Sequence, residues 1–162
     1  MNIDLDRSHC CCFTGHRPEK LSITEDEVKY NLIKAIETAV RDGYTNFITG
    51  MARGVDLWAA EIILSYQKAE PSLKLIAASP YKGTEKNWPY NWKYLYKTIL
   101  KKANYIEYVN PQYSTDCYQK RNEWMVNHAS RLIACYNGRA GGTRNTIRYA
   151  EKQQLQIITI PV

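Results

Sequence analysis

The amino-acid sequence predicts an α/β protein whose mostly parallel sheet is covered by helices on both faces. Short apolar runs alternate with longer amphipathic segments along the chain, which is the pattern of a strand–helix repeat. The run from Leu73 to Ala78 is apolar at nearly every position, as expected for a strand buried on both faces. Three of the runs end in glycine-containing turns, and such turns gather at one edge of a parallel sheet.

The strands and helices are placed by apolar spacing and by end signals. The expected strands cover residues 9–14, 46–49, 73–78, 105–109, 132–136 and 156–160. The first helix begins at a capping box, in which Thr24 and Glu27 satisfy the first free N–H groups, and Gly43 ends it in a left-handed turn. The other helices are expected from about residue 55, over 88–99, over 118–130 and over 143–153.

Length and composition indicate a single domain over residues 1–162. With 162 residues, of which 44% are hydrophobic, the chain can form a core without disulfides or metals. No apolar run reaches the length of a membrane span, so no membrane partner is expected. The segment from Met1 to Ser8 is polar and acidic, unlike a secretory signal, and a cytoplasmic protein is therefore predicted.

The five cysteines do not follow the spacing of a metal site or of a disulfide framework. They contain no C-x-x-C pair, and no histidine lies at zinc-finger spacing from them, so no metal is predicted. Cys10, Cys11 and Cys12 fall in the first strand, where small apolar side chains fit. We expect buried free thiols there, and the sequence leaves their reactivity open.

Three loops carry the strongest functional signal. They read TGHRP at 14–18, TGMARGVD at 49–56 and NGRAGGT at 137–143, and each follows an apolar run. A glycine-rich turn that leads into a helix exposes backbone N–H groups at the positive helix end, which favours an anion such as phosphate. Because the three loops share one sheet edge and each carries an arginine, they predict one nucleotide-like site.

The second loop is the most informative of the three. Gly50 and Gly54 permit tight turns, and Arg53 can form a fork of hydrogen bonds to a phosphate or carboxylate. Asp56 in the first helical turn fits two roles equally well, an acceptor for ribose hydroxyls or a favourable charge at the helix end. The loop lacks the Gly-Lys-Ser/Thr ending of a Walker A motif, which argues against ATP hydrolysis through a P-loop.

The other two loops add polar groups to the same edge. After the first strand, Gly15 allows a tight turn, and His16 is expected to position a ligand rather than act as a base. The third loop offers backbone N–H groups at Gly141 and Gly142 together with the hydroxyl of Thr143 and the charge of Arg144.

The aromatic residues between 81 and 96 need separate interpretations. Tyr81 follows Pro80 at a strand end and is the candidate to stack on a base. Trp88 and Trp92 lie four residues apart, a spacing more typical of the core than of a binding surface. Local sequence alone would place Arg121 and Asn122 in a solvated first helical turn.

In order along the chain, the motifs resemble the SLOG superfamily, which is named for the DprA/Smf proteins and the LOG enzymes. They are TGHRPEKL at 14–21, TGMARGVDLWAAE at 49–61, SPYKGTEKNW at 79–88, RNEWMV at 121–126 and GRAGGTRNTIRYA at 138–150. Within the superfamily they look like the YpsA/YspA-like branch of bacterial and phage proteins. The resemblance implies a Rossmann-like three-layer α/β/α sandwich with a six-stranded sheet in the order 3-2-1-4-5-6.

The resemblance also implies a nucleotide-type ligand, such as a nucleoside monophosphate or a derivative of NAD or ADP-ribose, with no further cofactor required. It implies homodimers and a role in sensing nucleotide-derived signals in stress or phage conflict. The residues expected to contact the ligand are Thr14, Gly15, His16, Arg17, Gly50, Met51, Ala52, Arg53, Gly54, Asp56, Tyr81, Arg121, Asn122, Gly141, Gly142, Thr143 and Arg144.

Three functions remain open from the sequence. A sensor that binds a nucleotide derivative ranks first, because the loops converge without an evident nucleophile. A hydrolase of N-glycosidic or phosphate bonds ranks second, since the stretch from Ala140 to Thr146 lacks the glutamate of the LOG segment PGGxGTxxE and leaves Asp56 as a weak catalytic candidate. A DprA-related binder of single-stranded nucleic acid ranks third and is suggested by the basic stretch 119–152 and the 13 tyrosines.

Overall fold

Strands and helices alternate through residues 5–162, the part of the chain that the computed structural model describes. Four residues of the domain expected over 1–162 therefore lie outside the described part. They include the start of the polar and acidic N-terminal segment. The elements are β1 (Cys10–Gly15), α1 (Glu25–Arg41), β2 (Asn46–Thr49), α2 (Val55–Gln67), β3 (Lys74–Ser79), α3 (Tyr90–Lys102), β4 (Tyr105–Tyr108), α4 (Cys117–Asn127), β5 (Arg131–Tyr136), α5 (Gly142–Lys152) and β6 (Gln156–Pro161).

The six strands form one parallel sheet in the order β4-β3-β2-β1-β5-β6. The α/β class is confirmed, and the order differs from the expected one at β4, which pairs with β3 at the sheet edge instead of lying between β1 and β5. The sequence of β4 explains the difference. Its YIEY pattern leaves Glu107 half-buried and Tyr108 exposed, which suits an edge and not a central strand buried on both faces.

Alternate side chains of β1 face two separate cores. Cys11 and Phe13 pack into the core that α1, α2 and α3 cover, whereas Cys10 and Cys12 pack into the core beneath α4 and α5. Right-handed crossovers produce this arrangement. From β1 to β4 the chain moves toward one edge of the sheet, which places α1, α2 and α3 on one face. It then reverses direction, which places α4 on the other face. The result is the expected three-layer α/β/α sandwich.

The start and end of α1 are as predicted. The Glu27 N–H donates to Thr24 Oγ1 at 3.2 Å, and the Thr24 N–H donates to Glu27 Oε2 at 2.8 Å, so the capping box is complete. Gly43 has φ of 95°, the left-handed conformation expected after a helix. By contrast, α3 begins at Tyr90, two residues later than the spacing of Trp88 suggested, because Pro89 is its N-cap residue.

The topology fixes where a ligand can bind. From β1 the chain runs through β2 and β3 on one side, while β5 and β6 lie on the other side of β1. At such a switch point the loops that follow neighbouring strands diverge and leave a crevice at the carboxyl ends. Within residues 5–162, no helix has both the length and the apolar character needed to cross a bilayer.

Candidate functional site

A cavity of about 530 Å³ occupies the crevice at the carboxyl ends of β1, β2 and β5. Its volume falls within the roughly 300–1,000 Å³ that is usual for small-molecule sites. The loops that follow β1, β2, β3 and β5 contribute to its walls, together with the first turns of α4 and α5. The three glycine-containing loops singled out in the sequence therefore meet at one place.

Most of the predicted ligand-binding residues line this cavity. They are Thr14, Gly15, His16, Arg17, Met51, Ala52, Arg53, Asp56, Arg121, Asn122, Gly141, Gly142 and Thr143. Arg121 and Asn122 belong here although local sequence favoured a solvated turn, because the start of α4 lies over the end of β2, where Arg121 contacts Gly50.

Asp56 and Arg121 form the floor of the cavity around Gly50. A Cβ atom at Gly50 would lie 2.7 Å from Asp56 Oδ2 and 3.1 Å from Arg121 Nε, so only glycine leaves room for both side chains. Arg121 Nη1 donates to the Gly50 carbonyl, and Arg121 Nε donates to Asn122 Oδ1 at 2.7 Å. These two bonds engage two of its five N–H groups and fix the guanidinium over Gly50.

Burial sets the charge state of this floor. It raises the pKa of Asp56 to about 6, and the opposing effects of the Arg121 charge and the Ala52 N–H are smaller. That N–H donates to Asp56 Oδ2 at 3.2 Å. Arg121 is 6% exposed, and burial lowers its pKa, although a guanidinium stays protonated at every physiological pH. The floor is thus cationic at slightly acidic pH and becomes closer to neutral as Asp56 ionises.

Two helices near the cavity begin with glycine caps, and the start of α5 lines it. The N-cap residues are Gly54 for α2 and Gly141 for α5, and neither offers a side chain to the first N–H groups. Thr143 in the first turn of α5 is buried, and a Cβ at Gly142 would meet no atom within 4 Å. The start of α5 therefore combines free N–H groups with open space, the arrangement that suits a phosphate.

His16 is held as a neutral ring. The Asn137 N–H donates to His16 Nε2 at 3.2 Å, which assigns the ring proton to Nδ1. Burial lowers the pKa of His16, and the positive charges of Lys20 and Arg139 act in the same direction. The ring also stacks on Tyr136 with centroids 5.6 Å apart. These contacts fit the expected positioning role, in which His16 presents one fixed N–H donor.

Cationic side chains surround the opening. Arg17, Lys20 and Arg53 all line the cavity. Arg53 Nη2 lies 3.4 Å from Glu19 Oε1, and because this ion pair is partly exposed to solvent it holds the arginine weakly. Arg53 can therefore turn toward a ligand at little cost.

Sequence comparison then assigns the protein family. The model of the YspA SLOG family matches residues 11–161, which is nearly the whole chain. The chain belongs to this family. It is 33% identical over 142 residues to the SPbeta prophage-derived protein YoqJ of Bacillus subtilis, covering 80% of this chain and 83% of that protein. It is 27% identical over 152 residues to a UPF0398 protein of Bacillus cereus ATCC 14579, covering 89% of this chain and 83% of that protein.

Solved structures share the fold of this SLOG protein at lower identity. DNA processing protein A from Helicobacter pylori superposes with a TM-score of 0.68 and 21% identity, covering 97% of this chain and 67% of that one. Its structure was described for a single-stranded DNA binding mode. DprA from Streptococcus pneumoniae gives a TM-score of 0.65 and 18% identity over 96% of this chain, which spans 51% of that protein. At these identities the likeness establishes the fold.

Four predicted ligand-binding residues of the SLOG protein lie outside the cavity lining. Gly50 is covered by Asp56 and Arg121, and Gly54 is the α2 cap, with φ of 93°. Tyr81 turns away and packs against the rings of other tyrosines, at centroid distances of 5.9 Å and 6.5 Å. Arg144 donates from Nε to the hydroxyl of Tyr136 at 3.1 Å instead of facing the crevice.

The cavity also contains residues that the sequence did not single out. The segment that precedes α3 supplies most of them, and Tyr118 takes the place expected for Tyr81. The additional lining residues are Lys20, Pro80, Thr84, Asn87, Trp88, Pro89, Tyr118 and Ala140. Trp88 was assigned to the core by helical spacing, and its ring does meet Tyr96 edge-on at 5.4 Å, yet it also reaches the cavity. The SPYKGTEKNW motif was the signal that pointed to this segment.

The cysteines of the SLOG protein are buried free thiols, as expected. Burial raises the pKa of Cys10, Cys11 and Cys12, which favours the protonated thiol. No cluster of His, Cys, Asp or Glu that suits a metal ion occurs within residues 5–162.

Proposed function

We propose that the crevice binds a nucleotide or nucleotide derivative, of the nucleoside monophosphate or ADP-ribose type. One observation carries the proposal: the N-terminus of α5, which has no side-chain cap, and the buried guanidinium of Arg121 both line a single cavity of nucleotide size. Anions bind at such helix ends because the exposed N–H groups and the helix dipole both favour negative charge.

The α5 end is the best place for a phosphate. Gly141 and Gly142 leave the backbone accessible, and Thr143 adds a hydroxyl in the first turn. Arg17 and Arg53 also line the cavity and can add positive charge around the same group. Charge-assisted hydrogen bonds of this kind contribute roughly 1.5–3 kcal/mol each when water is excluded.

The floor of the cavity suits the sugar. Above its pKa of about 6, Asp56 is an acceptor for hydroxyl groups, as acidic residues are in dinucleotide sites. His16 offers its N–H, and Asn122 offers an amide. These groups can orient a ribose without reacting with it, which favours a binding or sensing role over turnover.

A thermal-shift panel tests the proposal. AMP, ADP, ATP, cyclic nucleotides, NAD and ADP-ribose are each added to the purified protein, and at least one is expected to raise the melting temperature through selective binding to the folded state. In Arg53→Ala the affinity of that compound is expected to fall by about tenfold or more, because a charge-assisted contact is lost. Arg148→Ala, which removes an exposed arginine outside the cavity lining, is the matched control.

Two outcomes would contradict the assignment. A shift that is equal in wild type and in Arg53→Ala would show that the compound binds elsewhere, and no shift with any compound would remove the support for a nucleotide ligand. Product analysis of the same mixtures decides the question of turnover: a product that Asp56→Asn no longer forms would make the site catalytic.

Single-stranded DNA is a second candidate ligand for the crevice. The observation that favours it is the fold shared with DprA, since the Helicobacter pylori protein is described as binding single-stranded DNA. The formal charge of +6 is consistent with a polyanion. If one nucleotide unit of a strand occupies the crevice, a mononucleotide at high concentration should displace a labelled oligonucleotide. If the mononucleotide does not displace the oligonucleotide, the two ligands do not share the crevice.

A further inference from the structure

A basic aromatic stripe lies outside the crevice, along one side of α3. It consists of Tyr90, Tyr94, Lys97 and Lys101, at successive spacings of four, three and four residues, which places all four on the same helical face. Tyr90 is 77% exposed and Tyr94 is 63% exposed, and both lysines are exposed. We call this set the α3 stripe.

The surroundings of the α3 stripe are cationic. Residues 86–106 contain no aspartate or glutamate, and Lys86, Lys93 and Lys102 add to the charge of the stripe. The ion pairs found among the described residues involve none of these lysines. Their charge is therefore not neutralised within the protein and is available to a polyanion.

The two tyrosines form a ready stacking surface. Their rings are 6.3 Å apart between centroids and inclined by 26°, which is a stacked arrangement. Two large rings that face solvent side by side are unusual on a protein surface unless something binds them. Nucleic-acid bases stack on exposed tyrosines whatever their identity, and the neighbouring lysines can hold the phosphates between the bases.

We propose that the α3 stripe binds single-stranded nucleic acid, with bases on Tyr90 and Tyr94 and phosphates on Lys97 and Lys101. Trp88 and Pro89, directly before Tyr90, line the crevice, so the first residue of the stripe lies next to the crevice. The stripe runs for about 16 Å along the helix, enough for several nucleotides. This inference extends the second candidate function, and it names a surface that the crevice does not include.

Exposed tyrosines beside exposed lysines favour a single strand over the other partners that positive charge could attract. A duplex keeps its bases stacked within the helix, so it can use the lysines but not the tyrosines. An anionic membrane would use the lysines too, but the face lacks a broad apolar strip beside them. A second copy of this chain would meet the same unneutralised positive charge. Each alternative makes a different prediction in the experiment below.

The experiment measures binding of a labelled dT12 oligonucleotide by fluorescence anisotropy at several salt concentrations. Tyr90→Ala/Tyr94→Ala is expected to weaken binding by at least about tenfold while the salt dependence stays the same, because stacking is lost. Lys97→Gln/Lys101→Gln is expected to reduce the slope of log affinity against log salt by about 1.4, at roughly 0.7 for each phosphate contact.

A similar pair on α1 provides the control. Tyr30 is 59% exposed and Lys34 Nζ lies 4.3 Å from its ring centroid, but this pair follows the acidic first turn of α1. Tyr30→Ala/Lys34→Gln is expected to bind dT12 like wild type. A matched 12-base-pair duplex should be insensitive to Tyr90→Ala/Tyr94→Ala. The α3 variants should keep the wild-type circular dichroism spectrum and the nucleotide-induced thermal shift.

Several results would overturn the inference. One is that the wild-type protein does not bind dT12 at 50 mM salt. Another is that the α1 control variant loses as much dT12 affinity as the α3 variants. A third is that crevice variants lose dT12 affinity while the α3 variants do not. Loss of binding to anionic vesicles or loss of a dimer, with dT12 binding unchanged, would assign the stripe to a membrane or to a second copy. Nucleotide binding in the crevice is tested separately by the thermal-shift panel.

Discussion

Asp56→Asn is expected to gain stability relative to the wild-type protein as the pH rises from 4 to 8. Burial raises the pKa of Asp56 from 3.8 to about 6. A carboxyl group with a raised pKa in the folded state contributes stability that is fully present below pH 3.8 and is lost as the pH rises through about 6. The loss amounts to roughly 3 kcal/mol, at about 1.4 kcal/mol per pKa unit, and asparagine does not ionise.

Urea unfolding at pH 4, 5, 6, 7 and 8 measures this difference. The gap between the two free energies of unfolding should widen in favour of Asp56→Asn and level off above about pH 7. Arg121→Gln provides a second check, because the Arg121 charge lowers the pKa of Asp56. Without that charge the folded-state pKa of Asp56 rises further, so in Arg121→Gln the loss of stability should extend to higher pH and become larger. Parallel stability curves for wild type and Asp56→Asn would contradict the burial of an ionisable Asp56.

Gly15→Ala is expected to destabilise the protein by about 2 kcal/mol, within the range of 1–3 kcal/mol that is typical of overpacking. A Cβ atom at Gly15 would lie 2.5 Å from Cγ2 and 2.6 Å from Cβ of Val55, the first residue of α2. Because the Val55 Cβ is fixed by the helix backbone, a side-chain rotation cannot relieve the contact. The start of α2 must move, and Asp56 moves with it.

Gly142→Ala is the matched substitution, since a Cβ there would meet nothing within 4 Å. Its free energy of unfolding should stay within about 0.5 kcal/mol of wild type, as for most changes at unconstrained positions. Chemical unfolding of both variants at one pH gives the comparison. Equal stability of Gly15→Ala and Gly142→Ala would show that β1 and α2 do not approach each other as closely as described.

Local signals in the sequence predicted most of the fold. The capping box of Thr24 and Glu27, the left-handed Gly43 and the apolar run of β3 each act within a few residues, and all three are confirmed. The position of β4 was not predicted correctly, because strand order depends on which neighbour each strand finds in three dimensions. Glu107 within YIEY was the available sign of an edge strand.

The lining of the candidate site could also be predicted only in part, because it depends on contacts between distant parts of the chain. Loops rich in glycine could be placed at one sheet edge from topology alone, and they do line one cavity. The direction of a single side chain depends on its neighbours: Tyr81 is drawn into a cluster with Tyr113 and Tyr118, and Tyr118 reaches the cavity instead. Nothing local to Arg121 showed that α4 would bring it over Gly50.

The proposed nucleotide site is tested most directly by titration calorimetry of AMP and ADP-ribose with wild type and Gly142→Val. The valine side chain fills open space at the start of α5, so the variant should fold normally while it blocks the phosphate position. We predict that wild type binds at least one of the two compounds and that Gly142→Val weakens this binding by about 100-fold or more, the loss of one or two charge-assisted hydrogen bonds. Wild-type affinity in Gly142→Val, or no binding to the wild-type protein, would contradict the proposed site.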